Sequence, residues 1–439
     1  MTMTARMKTS ERAAWTVLAV LFVLNLVNLA RFTLDVPVND DWQLYANDAL
    51  PRGLTLAWLF QPHNEHRIVL TKILSWLFYA VDGGDLEHMQ IFNFLVYGAG
   101  VALYARLLVR AASHATAPGW LAPVALLPLA SALPKENHLW ATQSQFHFGW
   151  IAPLALAFVL FDGPLTRKRA AIAVLAAVAG MWSFAGAVPA VAVVAAFFAF
   201  TRRGLRRADI VFLAATAGAF VVWAATYEGA GHQAPATVWP TQLLFWEFLT
   251  NMVSAGFGYL KVGTGLAVVC SGLVLTALVG ASARRSDETL GLVAFAWGCV
   301  AFLATVAASR AAFGLVAAKF ERYAEIALLL VPAAALSLWV LLREKPWPRR
   351  LALAVTAGLC VVGVGPRFNF QRAYGSEYRR RAPSGDCLAA YYFHGGAPDC
   401  GPGTSREALD NARLLRVRFY ERLSATERLT LGKEIPPNQ

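Results

Sequence analysis

Long apolar runs, each closed by a cluster of arginines or lysines, constrain this chain more than any other feature. About eleven such runs follow one another between residues 13 and 365. Roughly 20 apolar residues in a helix cross the hydrocarbon core of a bilayer. In lipid each backbone polar group needs a partner within its own segment, which a helix provides. The expected fold class is an all-α polytopic membrane protein with about 11 transmembrane helices. Charged residues make up 15% of the chain and hydrophobic ones 57%, whereas soluble domains carry about 25% charged residues. The net charge of +12 would suggest nucleic acid in a soluble protein. Here the basic residues fall between apolar runs, so membrane lipid is the expected counterpart and nucleic acid is not.

Basic clusters mark cytoplasmic loops. Arg6, Lys8 and Arg12 precede the first run (13–30), which places the N-terminus in the cytoplasm. Counting crossings from there gives runs at 89–109, 115–134, 148–161, 170–184, 187–200, 210–226, 266–281, 290–309, 326–342 and 351–365. With this count bases outnumber acids inside, and acids outnumber bases in the external loops before residue 366. The transmembrane domain is then 1–365, with a first external loop at 31–88, and 366–439 is a small extracytoplasmic tail. The expected location is the inner (cytoplasmic) membrane. Within the first loop the segment 67–81 reads as an amphipathic helix lying at the interface. A piece near 243–257 reads as another surface segment. Cys387 and Cys400 in the external tail are a plausible disulfide, and residues 405–427 read as one helix with Leu414, Leu415, Val417 and Tyr420 on its apolar face.

Four polar stretches fall on the external side. Asn39-Asp40-Asp41-Trp42 places two carboxylates at the membrane boundary. Capping of a following helix is the plain explanation; a general base for a hydroxyl is the functional one. Adjacent residues do not share a helix face, so one acid is expected in a cavity and the other in a cap or pair. In His63-Asn64-Glu65-His66-Arg67 a helical spacing would put His63, His66 and Arg67 on one face. A divalent metal held by Asp40, Asp41, Glu136 and His66 is the one cofactor to consider, although the spacing is no known zinc signature. Residues 135–147 are dense in hydrogen-bonding groups, including Glu136, His138, Trp140, Gln143 and Gln145. Amides and aromatic rings of this kind suit a sugar. Last, Arg310, Lys319, Arg322 and Tyr323 put cations outside, against the general bias. Arginine suits bidentate phosphate recognition, and pairing with nearby glutamates or headgroups is the alternative.

Together these stretches resemble the GT-C superfamily, the integral-membrane glycosyltransferases that use polyprenyl-phosphate sugars. Its members include protein O-mannosyltransferases and the lipid A aminoarabinose transferase. Asp40-Asp41 stands where the superfamily has Asp-Glu, and Glu136 where it has a further acid. The likeness is closer to bacterial members with Asp-Asp-Trp, then His-Asn-Glu-His-Arg, then Arg and Arg-Tyr, here Asp40–Trp42, His63–Arg67, Arg310 and Arg322-Tyr323. It covers most of 1–365 and none of the tail. The resemblance implies a polyprenyl-phosphate sugar donor and a glycan or lipid acceptor in the cell envelope. Asp40 or Asp41 would be the base for an inverting transfer. Arg310, Lys319 and Arg322 would bind the donor phosphate. His63, Glu65, His66, Arg67, Glu136, His138, Trp140, Gln143, Gln145 and Tyr323 would bind substrate or order the site. A transporter or flippase of lipid-linked saccharides would share the arginines but places charge at mid-membrane depth. An envelope-glycan polymerase or ligase would place essential Arg and His in a large late loop, where His232 lies.

Overall fold

The computed structural model describes residues 9–45, 50, 53–64, 66–202, 204–227, 236–261, 263–284 and 289–431, with side chains to residue 427. Glu65 and His232 lie outside the described residues. The described chain is helical and contains no strand; one antiparallel bridge joins His63 and His66.

In chain order, α1 (Thr9–Arg31) leads through a 3-10 turn (Asn39–Leu44) to α2 (Leu56–Phe60) and α3 (Val69–Asp82). Then come α4 (Leu86–His114), α5 (Leu121–Leu126) with a 3-10 continuation (Leu127–Ala130), α6 (Lys135–Leu139) and α7 (Ser144–Phe161). Four helices follow: α8 (Arg167–Met181), α9 (Ala187–Thr201), α10 (Arg207–Ala225) and α11 (Leu243–Ala255). The remaining long ones are α12 (Thr264–Arg284), α13 (Leu290–Arg310), α14 (Glu321–Leu341) and α15 (Pro346–Val364). The C-terminal segment holds α16 (Phe370–His394), α17 (Arg406–Leu414) and α18 (Arg418–Leu431).

Eight of these, α1, α4, α7, α10, α12, α13, α14 and α15, are long and apolar enough to cross a membrane. Large apolar side chains stay exposed on the outer helices: Val20, Val23 and Val27 on α1, Val221 and Val222 on α10, Val361 and Val362 on α15. Soluble monomers rarely expose such contiguous apolar surface; it suits the acyl chains of a bilayer. By contrast, α14 is buried on nearly every face. The architecture is that of an all-helical multi-pass membrane protein.

The run at 115–134 departs from a regular span. Pro123 and Pro128 lack the amide hydrogens a longer helix needs, and the helical part is short. It nevertheless runs alongside α1. A Cβ on Gly119 would meet the Glu11 carboxylate at 2.3 Å. At the other end, the Asn25 side-chain amide donates to the carbonyls of Ala130 and Ser131 at 3.1 and 3.3 Å. Glu11 and Asn25 are about 21 Å apart along a helix. The piece expected on the surface near 243–257 is instead embedded: Phe245, Phe248 and Met252 of α11 are buried. A helix forms over the segment expected at the interface, as α3, closed by Gly83 in the left-handed region, and Asp85 caps α4 by accepting from the amides of Glu87 and His88. Such a cap contributes about 1 kcal/mol.

The C-terminal segment is no detached tail. It shares a second hydrophobic core with the first loop, containing Trp42, Tyr45, Leu86, Leu388, Leu409 and Phe419. Cys387 and Cys400 form a disulfide. The helix expected over 405–427 is broken at Arg416, which adopts φ 50. That break re-aims the apolar face: Leu409, Val417 and Phe419 are buried while Leu414 is 74% exposed.

Candidate functional site

At one end of the bundle the 3-10 turn, the His63–His66 bridge, the residues before α7, the α8–α9 turn and the α13–α14 connection enclose a cavity of about 480 Å³. Asp40, His66, Gln143, Gln145, Arg310, Arg322 and Tyr323 line it, together with Asn64, Phe146, Phe184, Tyr227 and Phe320. Residues from six separate parts of the sequence therefore meet at one place.

The two aspartates part company. Asn39 enters the turn at φ 47, and the chain then directs Asp40 to the cavity and Asp41 into the protein. Asp41 is 1% exposed. Its carboxylate accepts from the Val38 amide at 3.2 Å, the Thr142 amide at 2.9 Å and the Thr142 hydroxyl at 2.8 Å. It thus caps its own turn and ties the first loop to the segment before α7. Burial pushes its carboxyl above the usual range, against the pull of the Thr142 and Val38 hydrogen bonds. Asp40 is half-buried and accepts no hydrogen bond from the described residues.

Two cations face the same space. The Arg310 guanidinium lies 5.8 Å from the centre of the Phe313 ring. Arg322 lies over Phe320, Tyr323 and Trp140 at 4.9, 5.5 and 5.7 Å, which holds its fork in place. Glu136 supports it from behind, accepting from the Arg322 amide at 3.2 Å and standing 3.7 Å from its guanidinium. Burial raises the Glu136 carboxyl, with Arg322 opposing. Gln143 and Gln145 are almost fully buried, and the side-chain oxygen of each has no hydrogen-bond partner among the described residues. An unpaired buried amide costs roughly 1–3 kcal/mol, so a ligand bearing hydroxyls or amines recovers energy there.

Other expected site residues sit elsewhere. The helical face expected for His63, His66 and Arg67 does not form, because Asn64 takes φ 55 and the chain makes a tight turn closed by two backbone hydrogen bonds between His63 and His66. Only His66 reaches the cavity, packed on the Phe184 ring at 4.0 Å. His63 is buried. Arg67 donates to the Phe60 carbonyl at 3.2 Å. His138 is sealed in the interior against the Tyr374 hydroxyl at 2.8 Å, and burial holds it well below its ordinary pKa. Trp140 is buried beneath Arg322. Lys319 is half-buried and does not line the cavity. As for the metal set Asp40, Asp41, Glu136 and His66, no three His, Cys, Asp or Glu side chains converge as metal ligands among the described residues. Asp41 in particular is spent on Thr142 and Val38.

One cluster was missed from the sequence. Glu325, fully buried in α14, accepts from Asn137 at 2.7 Å, faces His147 Nδ1 at 2.7 Å and accepts from the Trp150 indole. An acid at the edge of the apolar run 326–342 is the signal that could have found it. It anchors α6, and with it Glu136, to α14. Comparison with protein-family models, with curated proteins and with solved structures gives no match.

Proposed function

We propose that the chain is a membrane glycosyltransferase that moves a sugar from a polyprenyl-phosphate donor to a hydroxyl acceptor, a cell-envelope glycan or lipid. The observation that carries this is one cavity lined, among the described residues, by one carboxylate, Asp40, and two guanidiniums, Arg310 and Arg322. The GT-C resemblance of these same residues supports it. Asp40 takes the acceptor proton as the hydroxyl oxygen attacks the anomeric carbon. The bond from that carbon to the phosphate oxygen breaks with inversion. Arg310 and Arg322 balance the charge that develops on the departing phosphate. Gln143, Gln145 and the aromatic walls hold the sugar. In this reading Asp41 is a structural acid, and no step requires Lys319 or a metal.

The same reading takes all eleven runs as crossings of the inner membrane. The N-terminus is cytoplasmic, and the cavity and the C-terminal segment face outward. The basic clusters at the end opposite the cavity support that orientation.

The test uses purified protein in lipid vesicles, a panel of labelled polyprenyl-phosphate sugars and envelope glycans or lipids as acceptors. Release of polyprenyl phosphate and labelled product is followed. The wild type should consume one donor class, and Asp40→Asn should lower the rate by about 10²–10⁴-fold. An Asp40→Asn protein at full rate would remove Asp40 as the base, and a panel left intact by the wild type would remove the transferase reading.

A further inference from the structure

Three parts of the C-terminal segment grip the turn that carries Asp40. Gly403, at φ +88, passes so close to Asn39 that a Cβ there would stand 2.4 Å from the Asn39 carbonyl oxygen. At the other end of the turn the Asn411 amide donates to the Tyr45 carbonyl at 3.0 Å. Between them Phe419 packs edge-on against Trp42 and Tyr45, each ring at 5.8 Å. The loop that delivers Gly403 is tied to α16 by the Cys387–Cys400 disulfide, three residues upstream. Tyr374 in turn roots α16 in the bundle, donating to Asn25 at 2.6 Å. On the opposite side Asp41 holds the turn to Thr142. The turn is thus clamped between two distant segments, and Asn39, forced to φ 47, leads directly into Asp40.

We infer that the C-terminal segment is the positioning element of the site: Gly403, delivered by the Cys387–Cys400 loop, sets the backbone that presents Asp40 to the cavity. The inference rests on the transferase reading for its effect on rate, while the clamp itself is a statement about the turn alone. Turnover then depends on a disulfide remote in sequence from every cavity residue. Misplacement of a reacting group by about 1 Å can cost roughly 10²-fold in rate.

Gly403→Ala is the direct perturbation. Gly395→Ala is its control, because Gly395 has the same backbone sign (φ +71) but nothing within 4 Å of an added Cβ. Cys387→Ser/Cys400→Ser removes the tether. Two readouts are taken on full-length protein in vesicles: hydrogen exchange of peptides covering residues 38–45, and steady-state transfer from the donor found with the wild type. Gly403→Ala and the double serine variant should speed exchange at 38–45 and lower kcat by about 10–10²-fold, with donor KM changed less than about threefold. Gly395→Ala should match the wild type in both. Should either variant fail to fold, reducing the disulfide in purified wild-type protein gives the same exchange comparison. Unchanged exchange at 38–45 in Gly403→Ala and after loss of the disulfide overturns the clamp. Faster exchange at 38–45 with wild-type kcat overturns its positioning role. If the wild type transfers no sugar, the transferase reading falls and exchange alone decides the clamp.

Discussion

Asp40 and Asp41 are neighbours of the same chemistry, yet their replacements should fail in opposite ways. Asp41→Ala removes a carboxylate that accepts from two backbone amides and one hydroxyl. The Thr142 hydroxyl can turn elsewhere, but the Val38 and Thr142 amides are left without partners in a buried place. Each orphaned donor costs roughly 1–3 kcal/mol. Relief from burying a carboxyl returns part of that, leaving a net loss of roughly 2–4 kcal/mol. Against a total stability of about 5–15 kcal/mol this is a large fraction. Asp40→Ala removes a half-buried group at a cavity wall that accepts no hydrogen bond from the described residues, so its effect on stability should stay within about 0.5 kcal/mol. Thermal unfolding of purified protein, followed by tryptophan fluorescence and by size-exclusion recovery, should place Asp41→Ala well below wild type and Asp40→Ala beside it. The donor-consumption assay should show the reverse for the surviving folded fraction, with Asp40 variants silent. An Asp41→Asn protein of wild-type stability and no turnover, together with an active Asp40→Asn, would refute the reasoning and exchange the two roles.

Three further outcomes are expected. Arg310→Ala should lower kcat by about 10²–10³-fold, the usual cost of one charge-stabilising donor. Gln145→Ala should raise donor KM by about 5–30-fold, corresponding to roughly 1–2 kcal/mol of sugar binding. Asp35 predicts a pH effect. It is buried, hydrogen-bonded to the Leu86 amide and paired with Arg422 at 3.1 Å, and burial raises its carboxyl from 3.8 to about 7. Between those values the native state holds a proton the unfolded state has lost. Its contribution is complete below about pH 3.8 and falls as pH rises to about 7, at up to about 1.4 kcal/mol per unit. Asp35→Asn should therefore flatten the decline of unfolding temperature between pH 4 and 7.

Much of the architecture was legible in the residues alone. Apolar runs and basic clusters marked the helices, because lipid admits few alternatives to a helix, and the helix α3 after the first run showed in its amphipathic pattern. The Asp40, Glu136, Arg310 and Arg322 stretches stood out as polar groups between such runs. Local geometry misled where one residue chose an unusual backbone angle. Asn64 at φ 55 turned an expected helix face of histidines into a tight turn, and Arg416 at φ 50 split the C-terminal helix. Neither angle is written in helical periodicity. Glu325 stands at the edge of the apolar run 326–342, but its partners Asn137, His147 and Trp150 come from segments well over 100 residues away.

What the sequence determined by itself was the solvent: a chain this apolar, with charges confined to short connections, has to place helices in a bilayer. It also narrowed the acid of interest to two adjacent positions. Choosing between them was a tertiary decision. Thr142, about a hundred residues downstream, claims Asp41, and Gly403, far beyond the last long apolar helix, closes on Asn39. Each is a contact between segments that no local pattern couples, because hydrogen bonding and close packing depend on where the folded chain brings two groups together rather than on their spacing along it.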